Sequence, residues 1–137
     1  MTSWHLRSCL TALVAATMLA HRASAQATTA NADPVGVWRG TSTCLVRPSP
    51  CNNEIVVYRI ARGTTRDSVV LDARKIVNAR EDEMGVLACR LTERGASFTC
   101  AIPKGAWRFT VRRDSLIGEL RLSDGTKFRD VRAARSR

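Results

Sequence analysis

Between Val86 and Phe128 apolar residues recur at every second position, in short runs separated by polar turns. VLACRL and FTCAI flank Glu93-Arg94-Gly95-Ala96. WRFTV and LIGEL flank Arg112-Arg113-Asp114-Ser115. RL and KF flank Ser123-Asp124-Gly125-Thr126. Successive side chains on a strand point to opposite faces, so a period of two with turn residues between the runs specifies an antiparallel meander.

The registers follow from keeping the apolar face on one side. A four-residue loop centred on Arg94-Gly95 places Cys89 opposite Cys100, Leu91 opposite Phe98 and Leu87 opposite Ile102. It also makes Cys89–Cys100 a non-hydrogen-bonded pair, where side chains lie closest. In the next hairpin Val111 pairs with Leu116, Phe109 with Gly118 and Trp107 with Leu120, and the Phe109 ring covers the bare glycine. In the last, a three-residue loop Ser123-Asp124-Gly125 with Gly125 left-handed sets Phe128 against Leu120. Val131 then falls out of phase, which predicts a bulge or the strand end near Asp130.

Upstream, Met1–Ala25 has the form of a secretory signal peptide: Arg7, an apolar run from Cys9 to Ala20, and the cleavage pattern Ala23-Ser24-Ala25. That run is shorter than the ~20 residues a spanning helix needs, so no membrane span is expected after cleavage. Residues 26–34, QATTANADP, are polar and read as a disordered leader. The domain is expected over 35–133 and a basic tail over 134–137. Strands are expected at Val35–Val46, at Glu54–Ala61 with burial on both faces or a covering loop on one, and at Ser68–Val77. On the last, Val69, Leu71, Ala73 and Val77 point inward, and Lys75 is the one charge on that parity. NAREDEMG, from Asn78 to Gly85, reads as helical or lid-like.

The four cysteines left after cleavage allow three pairings. Cys44–Cys51 would close the Pro48-Ser49-Pro50 loop, and Cys89–Cys100 would tie a hairpin, in an oxidising periplasmic or extracellular setting. Their spacings do not match the short C-x2-4-C separations of zinc sites, so no metal is expected.

Loss of residues 1–25 removes both histidines, His5 and His21, and with them any Ser-His or Cys-His catalysis. The carboxylates fall mostly at turns or on outward parities, and Glu81-Asp82-Glu83 lacks the alternation of a calcium loop. The expectation is a non-enzymatic chain without cofactors. Of 22 basic residues, Arg7 and Arg22 leave with the signal; 20 against 12 acidic give a net +8. Arg74, Arg90, Arg108, Arg112 and Arg121 fall on outward parities, with Arg129 and Arg132 in the last strand. Such a belt would attract nucleic acid, an anionic glycan or an anionic membrane surface, and would suit a surface-recognition or inhibitor module that binds an anionic envelope component or protein. No aromatic residue is interleaved among these arginines, which argues against nucleic acid. A second site is the barrel mouth, where Trp38, Tyr58, Lys75, Trp107 and Phe109 could hold a small apolar or amphipathic ligand. The inward set is completed by Val69, Leu71, Leu87, Leu91, Phe98, Leu120 and Phe128.

Gly36-Val37-Trp38 resembles the G-x-W that opens lipocalin-like (calycin) barrels. That resemblance implies a Trp closing one end and a small apolar ligand at the other. The wider pattern, GVWRGTSTC with P-x-x-C, VVYRI, ARKIVN and MGVLACRL, is similar to small uncharacterised exported bacterial proteins and implies no activity. The fold expected is all-β: a meander of seven or eight strands closing into a small barrel, with a β-sandwich as the alternative.

Overall fold

The computed structural model of this chain describes residues 32–92 and 95–137. Eight strands follow in order: β1 (Gly36–Cys44), β2 (Glu54–Arg62), β3 (Ser68–Val77), β4 (Arg80–Leu91), β5 (Ser97–Ile102), β6 (Gly105–Arg112), β7 (Ser115–Leu122) and β8 (Lys127–Arg135). Each pairs antiparallel with the next, and β8 returns to β1, so the meander closes into a barrel rather than a sandwich. Closure removes the free edges that an open meander would leave. The expected signal segment 1–25 and positions 26–31 of the expected leader lie outside the described residues.

The registers argued from parity hold in β4–β7. Leu91 faces Phe98, and the Cys89–Cys100 disulfide has a Cα–Cα separation of 4.2 Å, as in a non-hydrogen-bonded pair. Val111, Phe109 and Trp107 face Leu116, Gly118 and Leu120. A Cβ at Gly118 would collide with the Phe109 ring, so the glycine is the space that the ring fills. Leu87 and Ile102 are not a pair: β4 and β5 pair only at Arg90–Thr99 and Leu91–Phe98.

The last hairpin departs from expectation in an instructive way. The loop is Ser123-Asp124-Gly125, with Gly125 at φ 88° and the Leu122 N–H donating to the Thr126 carbonyl at 2.9 Å. The Thr126 N–H donates to Asp124 Oδ1 at 2.9 Å and holds that carboxyl below its usual pKa. The bulge, however, lies between Leu120 and Arg121 opposite Phe128, not near Asp130. Arg129, not Phe128, faces Leu120, and Val131 returns to phase and is fully buried. One extra residue flips every later side chain of β8. With it Arg129, Val131, Ala133 and Arg135 share the interior parity; without it Asp130 and Arg132 would be inside.

Asn78–Gly85 is neither helix nor lid. Asn78 and Ala79, at φ 49° and 63°, form a two-residue turn that joins Val77 to Arg80, and β4 begins at once. Two left-handed central residues match the twist of a hairpin. The β3–β4 register shifts at Ala73/Arg74, beyond which Val77 is exposed rather than inward. Strand β2 is buried on both faces at Val57, which sits between Arg39 and Arg74 of the neighbouring strands, but Ile55 is half exposed.

Residues on either side of the expected 35–133 span also contact the barrel. Pro34 is fully buried, Ala32 packs on the core, and Asp33 pairs with Arg62 at 2.7 Å, so the end of the leader is ordered. Strand β8 runs to Arg135, and the Ser136 N–H donates to the Val37 carbonyl at 2.8 Å, so residues 134–136 are not a loose tail.

Candidate functional site

Three places could carry function: the two barrel ends and the outer face of β5–β8. At the first end Trp38 is fully buried and donates its indole N–H to the Pro34 carbonyl at 2.8 Å. The Arg135 guanidinium lies over the ring, 4.1 Å from its centroid, and donates to the carbonyls of Val35 and Asp33 at 2.7 Å each. A planar cation on an indole face, its donors spent on backbone oxygens, makes a closed plug.

Inside, the aromatic rings pack on one another. Phe98 stacks on Phe109 at 4.9 Å, Trp107 stacks on Phe109 at 5.6 Å, and Tyr58 meets Phe109 edge-on at 5.6 Å. Trp38, Tyr58, Phe98 and Phe109 all belong to one buried cluster, with Trp107 packed against it. Of the residues expected to line a pocket, four are therefore shared by the core.

The second end is ionic. Glu54 accepts from Arg129 at 3.2 Å and lies 3.8 Å from Lys75 Nζ. Arg129 also donates to the buried Ser42 Oγ and to the Asn52 carbonyl, at 2.9 Å each. The Cys44–Cys51 disulfide holds the Asn52 loop against this end, where Asn53 Oδ1 accepts from the Cys44 N–H at 2.9 Å. Lys75, expected on the inward parity, keeps 38% of its side chain exposed and has Glu54 as its partner. Burial raises the Tyr58 phenol well above its ordinary pKa of 10.0; the Arg129 charge opposes that shift and Glu54 adds to it. Among the described residues no buried polar side-chain atom is left without a partner.

The outer face divides the candidate arginines. Arg74 is neutralised by Asp72 at 3.1 Å and Glu83 at 3.7 Å, and Arg121 by Glu119 at 2.8 Å. Arg90, Arg108 and Arg112 form no ion pair among the described residues. Arg90 and Arg108 lie on one row either side of Thr99, so about 10 Å apart at the usual strand spacing. Ser97 and Thr110 share a hydroxyl contact of 3.1 Å beside them. Next to this row is a depression of 360 Å³ across β6–β8, lined by Arg108, Thr110, Ile117, Glu119, Asp130 and Arg132, with Lys127 at one end. Its floor is Ile117, 40% exposed. Lys127 joins Asp130 at 2.6 Å and Glu119 at 3.8 Å, whereas Arg108 and Arg132 stay free of described carboxylates.

Parity alone could not separate paired from unpaired arginines, because pairing depends on which strand lies alongside. Glu54, Ser42 and Arg129 were missed as a group for the same reason, and Arg129 because the bulge turns it inward. Ile117, Glu119 and Asp130 carried no signal beyond outward parity. Among the described residues no group of three His, Cys, Asp or Glu side chains could hold a metal, and no helix is long and apolar enough to cross a membrane. Two disulfides fit an oxidising, non-cytoplasmic setting. The chain matches no family model and no curated protein sequence. Its eight-stranded antiparallel barrel is compatible with a lipocalin-like architecture.

Proposed function

We propose that this chain is an exported, non-enzymatic recognition module that binds an anionic envelope component through the outer face of β5–β8. The observation that carries this reading is the depression between Arg108 and Arg132, two arginines free of carboxylate partners among the described residues. Arg90 and Arg112 extend the same charged surface, with the Thr99 hydroxyl beside Arg108. The packing of Trp38, Tyr58, Phe98 and Phe109 into one buried cluster favours an external site over an internal one. The experiment is retention on an anionic polymer such as dextran sulfate, measured across a salt series. Retention should fall steeply as salt rises, since each neutralised anion releases a counterion. The double variant Arg108→Glu, Arg132→Glu should elute at distinctly lower salt. Passage of the native chain straight through at low salt would end this reading.

A second reading has its own support. A small amphipathic ligand could seat at the ionic end, its polar head on the Tyr58 hydroxyl and Arg129, its apolar part against Trp107. The likeness to lipocalin-like barrels favours it, since Trp38 closes the opposite end. Native mass spectrometry of protein from its own host tests it directly: an added mass lost in Tyr58→Phe supports it, and the bare mass removes it.

A further inference from the structure

The depression on β6–β8 is not simply cationic. Arg108 and Arg132 supply guanidinium donors, Thr110 a hydroxyl, and Glu119 and Asp130 two carboxylates, all around the apolar floor of Ile117. Glu119 and Asp130 keep part of their side chains exposed, 27% and 35%, although Arg121 and Lys127 neutralise them. A carboxylate has about four lone-pair positions, so both retain acceptor capacity toward a ligand. A densely charged polyphosphate would meet those two carboxylates with repulsion and gain nothing from them. A ligand with many hydroxyls and one anionic group per unit would use every group present: its anion on the arginines, its hydroxyls on the carboxylates and Thr110, its apolar ring face on Ile117.

The placement of the aromatic rings argues the same way. Trp38, Tyr58, Phe98 and Phe109 are buried, and neither Trp107 nor Phe128 lines the depression, so no aromatic platform for stacked bases lies there. The volume of 360 Å³ falls at the small end of ligand-sized sites.

We infer that this depression is a subsite for one unit of an acidic saccharide, a uronic-acid type of sugar, within the anionic partner; the inference rests on the outer-face reading above. Arg132 and Arg108 hold the carboxylate of the sugar through charge-assisted hydrogen bonds, which are the stronger kind. Glu119 and Asp130 accept from its hydroxyls and set the selectivity against phosphodiester chains.

The test is titration of the protein, monitored by amide chemical shifts, with three probes at low salt: a galacturonate oligomer, a neutral glucan oligomer and single-stranded DNA. The galacturonate oligomer should bind best and shift the amides of β6–β8. Arg132→Ala should weaken it by about tenfold, the worth of one charged hydrogen bond, while Arg66→Ala on a distant turn leaves it unchanged. The double variant Glu119→Gln, Asp130→Asn should weaken galacturonate and strengthen DNA, opposite signs that general loss of folding cannot give. Tighter binding of DNA than galacturonate by the native chain overturns the saccharide inference and leaves the anionic face standing. Galacturonate binding that ignores Arg132→Ala and Arg108→Ala but vanishes in Arg90→Ala places the site elsewhere on that face. Failure of both anionic probes removes the face and the subsite together.

Discussion

The two ends of this barrel solve one problem with opposite chemistry. At the Trp38 end a large ring is capped by Arg135, whose hydrogen bonds go to the backbone carbonyls of Asp33 and Val35. At the Glu54 end the same need to close a small barrel is met by Glu54, Lys75, Arg129 and Ser42, backed by the Cys44–Cys51 loop. The Trp38 plug stabilises mainly through area and packing, although its cap, Arg135, is a cation that also lies 3.5 Å from the exposed Asp114. An ionic lid adds little net energy, because desolvation offsets most of its Coulomb attraction, but it stays wet and responds to charge. The first end is therefore mainly structural, and the second is the one through which solution conditions act most.

The largest break in this contrast is Trp38→Ala. Truncating a fully buried Trp leaves a cavity and should cost about 3–5 kcal/mol, comparable with the whole stability of many small domains; chemical denaturation with Trp107 fluorescence measures it. Removing the Cys44–Cys51 bridge by a double Ser substitution should cost about 2–3 kcal/mol, since the closed loop is short. The loss should fall on the ionic end, with amide exchange accelerating around Asn52 and Ser42 and unchanged around Trp38. Arg135→Ala should cost about 2 kcal/mol through lost cation–π and backbone contacts. The loss should persist at high salt, whereas the smaller effect of Glu54→Gln, about 1 kcal/mol, should shrink as salt screens the partly exposed trio.

Tyr58 sharpens the comparison by pH. Its pKa is raised in the folded chain because burial disfavours the phenolate. The unfolded chain therefore releases the proton first, at about pH 10, and stability should fall as pH climbs beyond that value. The sequence holds a single tyrosine, so ultraviolet tyrosinate absorbance reports this group alone. The signal should emerge together with unfolding, and Tyr58→Phe should flatten the alkaline slope. Smooth titration of Tyr58 near pH 10 in the folded state would show that the phenol is not shielded.

Much of this was legible because strand parity and turn chemistry are local. Trp107, Phe109 and Val111 could be placed opposite Leu120, Gly118 and Leu116 from the turn alone, and the Cys89–Cys100 bridge followed from its loop length. The Asn78-Ala79 turn misled because Asn78 tolerates the left-handed backbone but Ala79 rarely adopts it, and no glycine follows to mark the turn. Ordering of Pro34 and Arg135 was hidden because each is fixed by the other side of Trp38, roughly a hundred positions apart in the chain.

The chain's alternation, its turn residues and its cysteines by themselves pointed to a disulfide-tied β-meander of seven or eight strands, because those signals act between near neighbours. The position of the β8 bulge, and so which arginines turn inward to Glu54 and Trp38 and which stay free outside, was decided only on closing the barrel. A strand with Val131 and Ala133 on one parity and Phe128 on the other fits its interior only by adding a residue, and which residue that is depends on the walls of β1 and β7.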